Sequence, residues 1–163
     1  MKSQKGVTLL SMLIVVIIIS ILASFAILSS RDLVVEGNMA KIYQEISLVR
    51  DAVRKISLDN AYEGTIMNDY SGDASDYNSK AGGRLLSGQK YYYLGFADED
   101  ISEPVKEIFY DLLSLRDVEH SYIVRFLDEG NVQIYLADGV RSGNNYVYSY
   151  EEIADLYRSV TKK

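Results

Sequence analysis

The chain changes character abruptly at its sixth residue. Residues 1–6 read MKSQKG, with Lys2 and Lys5 as charges. Residues 7–28 read VTLLSMLIVVIIISILASFAIL and carry no charge; their polar members are Thr8, Ser11, Ser20 and Ser24. As an α-helix at ~1.5 Å per residue this stretch extends roughly 33 Å, enough to cross a bilayer core of ~30 Å. Lys2 and Lys5 hold its start on the cytoplasmic side, which places the polar remainder from Ser29 outside. Further on, Ile42, Ile46, Val49, Val53 and Ile56 recur at spacings of four and three, the stripe of a helix lying on one surface. Lys41, Gln44, Glu45, Arg50, Asp51, Arg54 and Lys55 fall between them and are expected on the wet side. The pattern predicts one helix from Val7 to about Leu58, roughly 75–80 Å long, apolar all round in its first half and amphipathic in its second. Gly37-Asn38 is the expected point of curvature or local melting, since glycine inside a helix costs ~1 kcal/mol against alanine.

After the helix the pattern becomes that of a small antiparallel sheet. Residues 59–89 are polar and glycine-rich, long for a structureless loop, and are expected to carry a function or small extra structure. Within them Asp69 to Asp73 faintly resembles the start of a calcium loop. The pattern lacks glycine at the sixth place (Ala74) and glutamate at the twelfth (Lys80), so it reads as a solvated acidic turn. Residues 89–96 predict an aromatic strand. Ser102 as N-cap and Pro104 in the first turn open a short helix with Val105, Ile108, Phe109, Leu112, Leu113 and Leu115 as its apolar positions. Residues 122–127 and 132–136 form the clearest hairpin, with Gly130 able to take positive φ in its turn. Its alternation puts Tyr122, Val124 and Phe126 beside Val132, Ile134 and Leu136 on the face that meets the long helix. Residues 138–145 read as a second polar loop, and Tyr146, Tyr148 and Tyr150 then alternate with Val147 and Ser149. Ser149 and Glu152 have capping-box spacing, starting a closing helix with Ile153, Leu156, Tyr157 and Val160 inward and Lys162-Lys163 at its negative end. The fold class is therefore α+β: a long N-terminal helix whose second half packs on a small antiparallel sheet.

Composition narrows the function. The chain of 163 residues has a net charge of −6 and no long basic run, so no nucleic-acid partner is expected. Cysteine is absent, which removes disulfides, thiol nucleophiles and cysteine-based metal sites. The single histidine, His120, reads as a boundary residue rather than a ligand, having no second histidine to chelate with. Asp98-Glu99-Asp100 and Glu151-Glu152 read as solvated charges, and no phosphate loop or nucleophile elbow is present. No catalytic residue, cofactor or metal is expected, and the chain does not read as an enzyme. Tyrosine is unusually frequent: 14 residues beside four phenylalanines and no tryptophan. Its bulk reads as sheet packing, though a tyrosine face could also bind a surface, a sugar or a partner subunit. In the run Tyr91–Tyr93 adjacent residues must point both ways, so at least one is expected to face out.

Three readings of the N-terminus compete on pattern alone: a single-pass anchor, a secretory signal cut after Ala26, and a leader ending where the charge stops. The junction K-G-V-T-L-L-S-M-L-I-V-V-I-I-I-S-I-L-A resembles the class III signal of type IV pilins and type II secretion pseudopilins over about the first 28 residues. The resemblance implies a leader, 1–6, cut by a prepilin peptidase after Gly6, with Val7 the new and N-methylated terminus. It further implies a transmembrane and assembly helix at 7–28, an amphipathic continuation at 29–58 and a globular pilin head at 59–163. The family usually has glutamate five residues after the glycine, where it is understood to pair with a neighbouring subunit's amine; here that residue is Ser11. The family also often has a proline in the apolar helix, whereas the one proline here is Pro104. A buried carboxylate is costly unless paired, so its loss at Ser11 suits a minor or initiating subunit. The partners implied are other pilin or pseudopilin subunits, the prepilin peptidase, an inner-membrane assembly platform, and membrane lipid before assembly. The location implied is the cell membrane with the head outside, then the pilus or pseudopilus. The rival expectation is a secreted or single-pass anchored extracellular binding domain unrelated to pili.

Overall fold

The computed structural model describes residues 3–58, 70–98, 100–113, 118–127 and 130–162. They fall into two compact units, Met1–Asn38 and Met39–Lys163. The first helix, α1, spans Ser3–Leu58. It begins before Val7 and is helical through Gly37 and Asn38, so of the expected curvature or local melting there, melting is not found. Its residues up to Asn38 belong to the first unit and those from Met39 to the second.

The second unit is an α+β structure on a five-stranded, wholly antiparallel sheet. Its strands are β1 Ser71–Asp73, β2 Lys90–Leu94, β3 Tyr122–Phe126, β4 Val132–Ser142 and β5 Asn145–Ser149, neighbours in sequence order. Among the described residues, α2 Ala74–Tyr77 and α3 Glu103–Leu113 lie between strands and α4 Tyr150–Thr161 follows the last strand. The β3–β4 hairpin has the register its alternation demands, with Tyr122 opposite Leu136, Val124 opposite Ile134 and Phe126 opposite Val132. Gly130 follows its turn with φ 76°. The capping box forms at α4, where the Ser149 hydroxyl accepts from the Glu152 N–H and Glu152 reaches back to the Ser149 N–H at 3.1 Å.

The main core lies between one sheet face and the helices. Ile46, Val49, Val53 and Ile56 of α1 are buried together with Tyr122, Val124, Ile134 and Leu136 of the hairpin, Phe109 of α3 and Ile153 of α4. The stripe read from the sequence is thus the buried stripe, with Ile42 partly buried at its start. Glu45 is the exception to the expected wet side: it is 5% exposed.

The opposite sheet face is also buried, and this corrects one expectation. Tyr91, Tyr92 and Tyr93 are all buried, none facing out. Tyr92 enters the main core; Tyr91 and Tyr93 enter a second cluster with Ala74, Ala81, Leu85, Ile123, Tyr135 and Ala137. The cover is supplied by residues 70–88, from the polar segment expected to carry a function or small extra structure. That segment adds β1 to the sheet edge, turns through α2 and lays Ala74, Ala81 and Leu85 on the tyrosine face. Asp73 belongs to β1 and its N–H donates to the Asp76 carboxylate at 2.8 Å, so this part of the calcium-like stretch is spent on a strand end; Asp69 lies outside the described residues. The expected polar loop at 138–145 is a further correction. β4 continues through it to Ser142 and pairs with β5. A register shift between Tyr135 and Val140 admits the extra residues, with Asp138 at φ 61°. Polar composition concealed this hairpin because its strands pair by main-chain bonds.

Ser102 stands immediately before α3. Its hydroxyl accepts from the Tyr70 hydroxyl at 3.0 Å while its carbonyl accepts from the N–H groups of Val105 and Lys106. Leu115 lies outside the described residues.

Gly82 fixes how the covering segment sits. It has φ 60°, and a Cβ there would lie 2.4 Å from the Tyr148 ring. Gly82→Ala combines left-handed strain with a steric clash and is expected to cost about 1–3 kcal/mol. Urea unfolding of the full chain in detergent reads this as a lower midpoint at unchanged slope; an unshifted midpoint refutes it.

Candidate assembly segment and polar sites

The first candidate site is the apolar part of α1. From Met12 to Leu22 its large side chains stand out in every direction, from 48% exposed at Ile14 to 71% at Met12. Ser20 donates its hydroxyl proton to the Val16 carbonyl at 2.7 Å, and Ser24 donates to the Ser20 carbonyl at 2.8 Å. Their polar groups are therefore satisfied within the helix, and the surface offered to a surrounding medium is apolar. Ser11 is exposed on the same stretch. Gly6 and Val7 lie within α1, and the geometry of their surroundings falls outside the described residues. Among the described residues no helix is long and apolar enough to cross a membrane.

The second unit holds a buried polar site that the sequence did not disclose. The Glu45 carboxylate, on α1, receives four donors from the approach to β3. Its Oε1 accepts from the Tyr122 hydroxyl at 2.7 Å, the His120 N–H at 3.0 Å and His120 Nδ1 at 3.1 Å; its Oε2 accepts from the Glu119 N–H at 3.2 Å. Burial pushes the Glu45 pKa up, but the bonds from His120, Tyr122 and Glu119 outweigh it, and the carboxyl sits below its ordinary range. The bond to Glu45 raises the His120 pKa against the opposing effect of burial. Burial and the adjacent carboxylate drive the Tyr122 hydroxyl well above its usual value. Lys41 pairs with Glu119 at 2.6 Å on the exposed rim. The arrangement is a staple tying α1 to the sheet. His120 is a boundary residue as expected, but with a specific task.

A third cluster guards the β5 edge. Arg84 donates from Nε and Nη2 to Glu152 Oε1 at 3.2 and 3.1 Å, and from Nη2 to the Tyr146 carbonyl at 3.2 Å. Glu152 Oε2 accepts from the Tyr148 N–H at 2.8 Å. Outward main-chain groups of the edge strand are thereby occupied, which blunts the edge against foreign strands. Glu152 is not a free solvated charge, contrary to expectation. Burial raises its pKa, yet the Tyr148 and Ser149 N–H groups and Arg84 bring it below the ordinary value. Asp98 likewise has partners: it accepts from the Tyr93 hydroxyl and from Lys80 Nζ, the latter at 3.3 Å. The alternation of Tyr146 and Tyr148 and the capping-box spacing of Glu152 were visible in the sequence; the arginine reaching them from the covering segment was not.

Among the described residues no group of three or more histidine, cysteine, aspartate or glutamate side chains could hold a metal ion. The Glu45 and Glu152 carboxylates each accept several hydrogen bonds from within the chain.

Residues 1–27 match the family model described as the prokaryotic N-terminal methylation motif, the class III signal peptide of type IV pilins and pseudopilins. No curated protein and no solved structure matches the chain. The chain therefore carries a pilin-type N-terminal motif on an α+β protein with a five-stranded antiparallel sheet. The motif is that of membrane-anchored precursors of structural subunits that assemble with their own kind.

Proposed function

We propose that this protein is a subunit, of the minor kind, of a type IV pilus-like filament or a type II secretion pseudopilus. The observation that carries the reading is the methylation motif at residues 1–27, with its charge-to-apolar step at Gly6-Val7. A prepilin peptidase cuts after Gly6 on the cytoplasmic face, and Val7 becomes the methylated terminus. Residues 7–28 hold the subunit in the membrane as a single pass with residues 59–163 outside. An assembly platform then draws it into a bundle of sibling helices. The exposed side chains from Met12 to Leu22, with Ser20 and Ser24 internally satisfied, suit either surrounding. Exchanging lipid for protein of equal polarity changes solvation little, so packing and the assembly machinery set the direction. Ser11 offers no carboxylate to a neighbour's amine, which fits a position at or near an end of the filament.

Intact mass of the protein from its native membrane tests this. Loss of Met1–Gly6 plus one methyl group is the expected result. A terminus at Ile27, or a retained leader, overturns it in favour of a secreted or anchored domain.

A further inference from the structure

Of the 14 tyrosines in the chain, Tyr146 is the one that is exposed among the described residues, at 50%. It stands on β5 beside a shallow cleft of about 560 Å³ lined by Arg84, Asn144, Asn145, Tyr146, Tyr148 and Glu152. That volume is within the range of small-molecule sites, roughly 300–1,000 Å³. We propose that this cleft binds an uncharged saccharide, with the Tyr146 ring as its stacking platform and the Asn144 and Asn145 amides as hydrogen-bonding partners.

The main chain that carries the ring is held in place. The Tyr146 carbonyl is fixed by Arg84, and its strand pairs with β4 through Arg141 opposite Tyr146. Beside it the Tyr148 ring lies under the Arg84 guanidinium, 4.5 Å from the ring centre, and against Gly82 and Gly139. A tyrosine displayed on a rigid strand gives contact area at little entropic cost. Asn144 and Asn145 are exposed at the tip of the same hairpin, and each amide can both donate and accept, as sugar hydroxyls require.

The charges in the cleft select the ligand class. Arg84 and Glu152 neutralise each other, and both Glu152 oxygens are already occupied. A phosphate or carboxylate would have to compete with Glu152 for the guanidinium. A protein partner would find one exposed ring framed by asparagines, much less apolar area than a stable interface core uses. A pyranose matches this chemistry, with an apolar ring face over the tyrosine and hydroxyls toward the amides. The inference does not depend on the assembly reading.

The test is saturation-transfer NMR on the full chain in a detergent without a sugar headgroup. The probes are uncharged trisaccharides of glucose, galactose and N-acetylglucosamine, with glucose 6-phosphate as the anionic comparison. The expected result is transfer to the ring protons of at least one uncharged probe, with weaker or no transfer to the phosphate. Tyr146→Ala is expected to weaken binding about tenfold and Tyr146→Phe to retain it, because stacking carries the contact. An unchanged circular dichroism melt shows that the alanine variant is folded; Asn145→Ala supplies an independent second variant, expected to weaken binding. Absence of transfer to every uncharged probe, or equal binding by Tyr146→Ala, overturns the proposal. So does a Tyr146→Ala chain that binds no differently but fails to join its assembly, which assigns the ring to a protein contact.

Discussion

A Gly6→Arg chain is expected to keep its leader. The proposed cut falls where a charged, wet backbone meets an unbroken apolar run, and the residue before the cut has no side chain. Arginine there adds bulk at the scissile bond and a cation beside the apolar run. Processing is expected to fall from nearly complete to nearly absent, read as intact precursor mass in the membrane fraction. Sheared surface fibres are expected to lose the protein. Gly6→Ala adds a single methyl group and is the control, expected to be cut more slowly but measurably. The second unit begins at Met39, so protease resistance of that unit is expected to be unaltered and separates blocked processing from misfolding. Normal maturation of Gly6→Arg together with normal incorporation into fibres would falsify the assembly reading.

The largest stability effect is expected at Glu45. Truncation to alanine strands the Tyr122 hydroxyl and the N–H groups of Glu119 and His120, and it removes the partner that favours charged His120. Removing one member of a buried charged pair costs about 3–5 kcal/mol, a large share of a domain's stability. Tyr122→Phe removes only one donor and leaves the carboxylate three, so about 1.5–3 kcal/mol is expected. The same geometry fixes a pH dependence. Glu45 has its folded pKa below the ordinary 4.5, so its contribution is present above that pH and is lost as pH falls through the folded value. His120 has its folded pKa above the ordinary 6.5, so its contribution is complete below that pH and is lost as pH rises through the folded value. Lys41 and Glu119 also face this site, paired with each other at 2.6 Å. Stability from this cluster is expected to be greatest between pH 4.5 and 6.5 and to decline on both sides. Urea midpoints of the full chain across that range measure it. His120→Gln is expected to abolish the alkaline decline while keeping the acid one, and a flat profile in the parent chain refutes the assignment.

The legible parts of this protein are those where one periodicity decides the outcome. The α1 stripe, the β3–β4 register and the Ser149–Glu152 box are local patterns, and each is realised. Glu45 was misread because it carries a charge and its fate depends on Tyr122, 77 positions away. Arg84 and Glu152 are separated by 68 positions, and neither carries a local mark of the other. The sheet's second buried face was hidden because its cover is a small set of apolar residues in a polar segment: Ala74, Ala81 and Leu85.

By itself the sequence determined the N-terminal motif, the apolar helix and the amphipathic stripe, because these follow from where charge stops and how often it returns. Only the tertiary structure decided that all three adjacent tyrosines are buried, that a polar stretch becomes a hairpin, and that a glutamate on a helix is enclosed by donors. Each of those outcomes depends on surfaces brought together from distant parts of the chain. A burial pattern read from one strand or helix knows only its own faces; whether both are covered is settled by what folds over them.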